Sequence, residues 1–196
     1  MVALTFDDGP DPLGTLGVLD ALAEARLRAT FFVCTKPASD HPELLARVLE
    51  EGHDVQLHGH DHLRHADAGR AAIARDTDTA LEVLDGAGVS PTWWRPPWGA
   101  PAPWTAELAA ERGLRLIRWT VETYDWRGDD PRETARRLRP ALGDRDVVLM
   151  HDGVGPGALR SDAVSTATLV RELAAILDAV DLQAGTCDQV HATVHG

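Results

Sequence analysis

The chain has 196 residues, with 31 Asp and Glu against 19 Lys and Arg and a formal net charge of −12. A length of this order supports one domain with a sizeable core, so residues 1–196 read as a single unit. The surplus of acid works against a nucleic-acid or anionic-membrane partner and points to neutral or cationic substrates, and no stretch reaches the length of a membrane span.

Strand and helix patterns alternate along the chain. VALTF (Val2–Phe6) reads as a strand, followed by a helix from Leu13 to Ala25 with Leu16, Leu19 and Leu22 on one side. ATFFVC (Ala29–Cys34) is a second strand. PELLARVLEEG (Pro42–Gly52) is a helix with Pro at its start and Gly at its end. HDVQL (His53–Leu57) reads as a strand, and an alanine-rich helix then spans Asp67 to Leu84, closed by Gly86 and Gly88. TWW (Thr92–Trp94) is a short strand, Trp104 to Arg112 a helix, and LRLIRW (Leu114–Trp119) a strand. Pro131–Leu138 is helical, Asp146–Met150 a buried strand and Asp162–Ala179 the last long helix, with a weaker strand near Leu182. Alternation of this regularity predicts an α/β fold on a parallel sheet, either a small barrel or a doubly wound sheet. Cys34 and Cys187 read as free thiols. The chain begins inside its first strand with no charged-apolar-small leader, which points to a cytoplasmic protein; a leader missing upstream would make it a secreted one.

Polar clusters follow five of these strands. Asp7-Asp8-Gly9 follows the first, His58-Gly59-His60-Asp61-His62 follows HDVQL, and Arg95-Pro96-Pro97-Trp98-Gly99 follows TWW. The segment from Thr120 to Trp126 follows LRLIRW, and His151-Asp152-Gly153 follows the last buried strand. In parallel α/β folds the C-terminal strand ends share one face, where loops build the site. The clusters therefore converge in space.

Asp7 and Asp8 are neighbours on an extended segment, so their side chains leave in different directions. Asp-Gly and Gly-Pro are also ordinary turn dipeptides. The histidine run has metal-ligand composition. His58 and His62, four apart, share a face of a helical turn or are brought together by a loop, whereas His60 would pair with either of them on an extended segment. Two histidines with one carboxylate, from Asp7 or Asp8, leave positions open for water and substrate, as at a catalytic metal. One acid then binds the ion while its neighbour serves as base toward an acidified water. His151, at a strand end, is placed to act as the general acid.

The motifs TFDDGP, HGHDH, RPPWG, ETYDW and LMH, in this order and over nearly the whole chain, resemble those of the polysaccharide deacetylase (NodB-homology, carbohydrate esterase family 4) domain. The resemblance implies a distorted (β/α)7 barrel in one domain. It also implies removal of acetyl groups from N- or O-acetylated saccharides, such as chitin or peptidoglycan fragments, with a divalent metal, zinc or cobalt. By resemblance Asp7 is the catalytic base, Asp8, His58 and His62 hold the metal, and His60 is only a neighbour. Arg95 would pair with Asp7 and keep it ionised. His151 would be the acid, oriented by Asp125, and Trp126 and Leu149 would form an apolar pocket for the acetyl methyl. A backbone N–H near Trp98 would help the metal stabilise the tetrahedral oxyanion. Hydrolysis of another amide on the same scaffold (a formamide, a cyclic imide or a small acetylated metabolite) is the second reading.

Two positions depart from the family's pattern. Gly59 stands where Ser or Thr is usual and a hydroxyl braces the metal loop, and the first acid of the fourth motif, commonly Asp, is Glu122. All six tryptophans fall within residues 93–126. Trp93 and Trp119 lie in predicted strands and read as core, whereas Trp98 and Trp104 are candidates for stacking on sugar rings.

Overall fold

Strand β1 (Val2–Asp7) is buried along its whole length, the pattern of a strand covered on both faces of a parallel sheet. A computed structural model describes it together with the rest of residues 1–192; residues 193–196, the end of the span read as one domain, lie outside the described residues. After β1 come α1 (Gly14–Ala25), β2 (Thr30–Cys34), α2 (Thr35–Asp40), α3 (Pro42–Glu50), β3 (Asp54–Gly59), α4 (His65–Ala68) and α5 (Arg70–Gly86). The chain continues through β4 (Trp93–Trp94), α6 (Thr105–Ala110), β5 (Arg115–Leu116), β6 (Val121–Glu122) and α7 (Pro131–Leu138). It ends with β7 (Val147–His151), α8 (Val164–Ala179), β8 (Ala184–Gly185) and α9 (Cys187–Ala192).

All ladders are parallel, in the order β5-β4-β3-β2-β1-β7-β6, with β8 joined to the start of β1. Phe32, Trp93, Ile117 and Val147, drawn from both arms of the sheet, meet in one apolar cluster, so the sheet curls into a distorted (β/α)7 barrel. Cys187 and Val190 of α9 join that cluster. The larger cluster lies between the outer face of the sheet and the helices, and there α1 packs on α8 and α8 on α7.

Strand alternation decides which residues reach the bore. Val2, Leu4 and Phe6 of β1 face the helices, while Ala3 faces the bore, and Thr5 and Asp7 follow it by the period of two. On β3, Val55 and Leu57 take the outer face, leaving Gln56 and His58 inward. On β7, Val148 and Met150 face outward, leaving Val147, Leu149 and His151 inward. The bore thus collects Asp7, His58, Leu149 and His151 at the C-terminal strand ends.

The barrel is open between β5 and β6, the two ends of the ladder path. LRLIRW, predicted as one strand, is instead cut short at Leu116, and the next strand begins at Val121 on the opposite edge of the sheet. The intervening residues 117–120 are too few for the crossover of a dozen or more residues that a parallel pair requires. Strand β4 is short for a different reason. Pro96 and Pro97 follow Trp94-Arg95 and remove the amide donors that would extend it. The helix predicted over Asp67–Leu84 is divided into α4 and α5 at Gly69, whose φ of 78° breaks the helical run. Cys34 and Cys187 are both buried free thiols. Among the described residues no helix is long and apolar enough to cross a membrane.

Candidate active site

Asp7 and His151 are register partners on adjacent strands, so their side chains rise side by side on the bore face. Asp8 lies just beyond β1 at a φ of 77°, a conformation uncommon outside glycine. Its Oδ1 stands 3.3 Å from His58 Nε2 and 3.1 Å from His62 Nε2. The loop after β7 lies directly against this carboxylate and is glycine-rich for that reason. A Cβ on Gly155 would fall 2.4 Å from Asp8 Oδ2, and one on Gly153 would fall 2.7 Å from the Asp8 carbonyl carbon.

One ligand atom each from Asp8, His58 and His62 lies within 4.8 Å of the others, so the three fit a single divalent ion. The donor chemistry supports that fit. His58 Nδ1 donates to the Arg95 carbonyl at 2.7 Å, which leaves the Nε2 lone pair of a neutral imidazole facing Asp8. Asp8 Oδ1 is buried without a hydrogen-bond partner. A carboxylate oxygen and two imidazole nitrogens converging on one point form a donor set suited to a cation. The same field acts on the titrations: burial works against the charge of Asp8, yet the two imidazoles hold its carboxyl well below the usual range. Burial likewise disfavours a charged His58, and the negative charges of Asp7 and Asp8 raise it above the ordinary histidine value.

Arg95 is fully buried, and its Nη1 donates to Asp7 Oδ1 at 2.7 Å and to Thr5 Oγ1 at 2.8 Å. Its guanidinium lies over the Phe32 ring, 4.0 Å from the centroid. A planar cation thus tethers Asp7 from the bore side.

On the other side of the site His151 Nδ1 donates to Asp125 Oδ1 at 2.7 Å, and the His151 amide donates to Asp125 Oδ2 at 2.9 Å. Burial opposes the imidazolium, but the charge and hydrogen bond of Asp125 raise His151 to about 9. Asp125 is itself buried, and His151 and Arg160 hold its carboxyl below the usual value. Arg160 donates to Asp125 Oδ2 at 3.3 Å, and its other amino group reaches the carbonyls of His151 at 2.8 Å and Gly153 at 3.1 Å. Thr166 Oγ1 at the start of α8 lies 3.2 Å from Asp125 Oδ2 and 2.9 Å from the His151 carbonyl. The acid arm is therefore fixed from three elements.

The metal loop keeps a brace although Gly59 has no hydroxyl. Asp76 on α5 accepts from the amides of His60 and Asp61, both at 2.9 Å. A Cβ on Gly59 would approach Asp76 Oδ2 to 3.2 Å, so the missing side chain makes room for the substitute. His60 turns aside to Thr35 Oγ1, 2.9 Å from its Nδ1, and stays out of the ligand set.

A cavity of about 220 Å³ opens over these groups, lined by Asp7, Asp8, His58, His62 and His151 together with Trp98, Trp126 and Leu149. Arg95 and Asp125 sit directly behind that lining, bonded to Asp7 and His151. Trp98, 46% exposed, stands at the mouth with its ring edge toward His62 at 5.7 Å.

The family profile described as Polysaccharide deacetylase matches residues 1–117. The chain belongs to the polysaccharide deacetylase family. It is 38% identical over 152 residues to the peptidoglycan-N-acetylglucosamine deacetylase of Listeria monocytogenes, a match that covers 77% of this chain and 32% of that protein. The chain therefore spans about a third of that relative. It is 35% identical over 189 residues to the chitooligosaccharide deacetylase of a Bradyrhizobium species, covering 91% of this chain and 84% of the other. Among solved structures, the family 4 carbohydrate esterase from Streptomyces lividans in complex with acetate superposes with a TM-score of 0.83 at 29% identity, over 94% of this chain and 91% of that one.

In this polysaccharide deacetylase family member every site residue predicted from the sequence belongs to one cluster. Two readings of tryptophans are corrected. Trp119, predicted as core, is only partly buried and lines the cavity, because its strand ends before it. Trp104, a candidate for sugar stacking, packs on His65 with centroids 5.9 Å apart and is absent from the cavity lining. Trp93 is buried, as read, with its Nε1 donating to Asp188 at 2.7 Å. Sequence reasoning missed Asp76, Asp152, Arg160 and Thr166. Only Asp152 carried a signal, its place beside His151 in a strand-end cluster; the others sit in ordinary helical or loop sequence.

Proposed function

We propose that the chain is a metal-dependent hydrolase that removes acetyl groups from N-acetylated glycans of the chito-oligosaccharide or peptidoglycan class. One observation carries this reading. A three-ligand metal cluster, an arginine-paired aspartate and an aspartate-paired histidine face a single cavity. The relatives named above as deacetylases of such glycans support the choice of substrate.

Asp8, His58 and His62 would hold the ion, with zinc as first choice and cobalt as alternative. A divalent ion there supplies Lewis acidity, acidifying a water and polarising the acetyl carbonyl. Asp7 takes the proton of the attacking water, and the Arg95 guanidinium, bonded to its Oδ1, fixes the position of that carboxylate beside the cavity. With Nδ1–H donated to Asp125, His151 carries its second proton on Nε2 because the charge of Asp125 stabilises the imidazolium. It delivers that proton to the sugar nitrogen as the carbon–nitrogen bond breaks, so acetate and a free amine leave. A backbone N–H near Trp98 would serve the developing oxyanion. Trp126 and Leu149 enclose the acetyl methyl, and Trp98 offers a face to a neighbouring sugar ring. Residues 1–196 act as one catalytic domain on this reading.

Acetate release tests the reading directly, across a panel of chitin oligomers, peptidoglycan fragments, acetylxylan and small acetylated amides, with metal returned after chelation. Turnover of an N-acetylated glycan supports it. Turnover of small amides alone replaces it with hydrolysis of another amide.

A further inference from the structure

Glu122, where the family commonly has Asp, stands in the cavity wall between two indoles. Its Oε2 accepts from Trp119 Nε1 and its Oε1 from Trp126 Nε1, each at 3.3 Å. It is also the register partner of Leu149 on β7. Register partners in a parallel ladder present their side chains on the same face. Leu149, Glu122, Trp126 and Trp119 therefore form one continuous stretch of lining, which includes Leu149 and Trp126, the two residues proposed above to enclose the acetyl methyl.

Trp126 also meets two neighbouring side chains through contacts that are not hydrogen bonds. The Arg127 guanidinium lies 5.1 Å from the ring centroid and Tyr124 meets it edge-on at 6.4 Å; such contacts tolerate a range of angles. The bond from the indole N–H to a carboxylate is directional and charge-assisted. Glu carries one methylene more than Asp, which sets the carboxylate further from β6 and out between the two rings. A single acceptor pair thus ties both walls of the pocket.

We infer that Glu122 is a positioning and specificity-determining residue, whose two indole hydrogen bonds hold Trp119 and Trp126 at the spacing that admits an acetyl group and excludes longer acyl groups. The inference rests on the deacetylase reading above.

The test compares kcat/KM for matched chito-oligosaccharides carrying N-acetyl or N-propionyl groups in wild type, Glu122→Gln and Glu122→Ala. A fitted apolar pocket separates substrates differing by one methylene by roughly 10–200-fold, so wild type should favour acetyl within that range. Glu122→Ala should lower the acetyl value and shrink the acetyl-to-propionyl ratio at least about threefold, toward the indifference of an unfitted pocket. Glu122→Gln, which keeps one acceptor oxygen, should fall between and supplies the ratio if truncation leaves little activity. Partial unfolding lowers both values together and leaves the ratio unmoved, which separates a merely structural role. A wild-type ratio retained in both variants overturns the assignment to Glu122. Wild type that releases neither acyl group from any glycan tested overturns the deacetylase reading and this inference with it.

Discussion

His151 Nδ1 lies 2.7 Å from Asp125 Oδ1, and each side chain favours the charged form of the other. Burial alone would discharge the imidazole, but Asp125 raises it to about 9. The acid form therefore predominates at neutral pH, and kcat should decline only as pH climbs toward 9. Asp125→Asn removes the charge that raises His151, so the alkaline limb of the rate profile should move to lower pH. A limb that stays in place would contradict the pairing. Linkage gives the matching stability effect. With its folded value raised from 6.5 to about 9, His151 contributes stability in full below pH 6.5, and that contribution is lost as pH rises through 9.

Asp152 is held in its neutral form where His151 is held in its charged one, yet its effect on stability runs the same way with pH. It is buried, accepts from Thr15 Oγ1 at 2.5 Å and from the Gly9 amide at 3.2 Å, and burial outweighs those bonds to push its carboxyl up to about 7. The folded state thus holds a proton that the unfolded state releases near 3.8, and stability falls as pH rises between the two values. Asp152→Asn keeps an acceptor for Gly9 without the charge. It should raise Tm by roughly 2–8 °C at pH 8 and by much less at pH 5. An equal change at both pH values would rule out this origin.

Asp7→Asn should retain the bound metal and lose turnover by a factor of roughly 10² or more, since the base rather than a ligand is removed. Metal content by elemental analysis, measured beside kcat, separates the two roles. Loss of the ion in this variant would move Asp7 into the ligand set.

Trp98 is 46% exposed at the mouth of the cavity. Trp98→Ala should raise KM for a long acetylated oligosaccharide several-fold while leaving kcat nearly unchanged. An unaltered KM would assign the ring to packing on His62.

The site was largely legible in the sequence because strand alternation is a short-range rule. Once VALTF, HDVQL and VVLM are strands, Asp7, His58 and His151 fall on the ends that face the bore. The partners that tune these groups were not legible. Arg160 meets Asp125 across 35 positions and Asp76 meets His60 across 16, and nothing local marks either side chain. The split of LRLIRW was hidden for a related reason. Its apolar pattern continues past Leu116, and only the short link to Val121 forces the chain to change edges. Glu122 was visible as a departure, but its two indole donors depend on where that break leaves Trp119.

Metal titration of chelated protein, followed by acetate release, bears most directly on the centre formed by Asp8, His58 and His62. Wild type should regain full activity with a break at about one equivalent of zinc, and the double variant His58→Ala/His62→Ala should neither bind the ion nor turn over. Full turnover after exhaustive chelation, or a double variant that binds and works like wild type, would contradict the account.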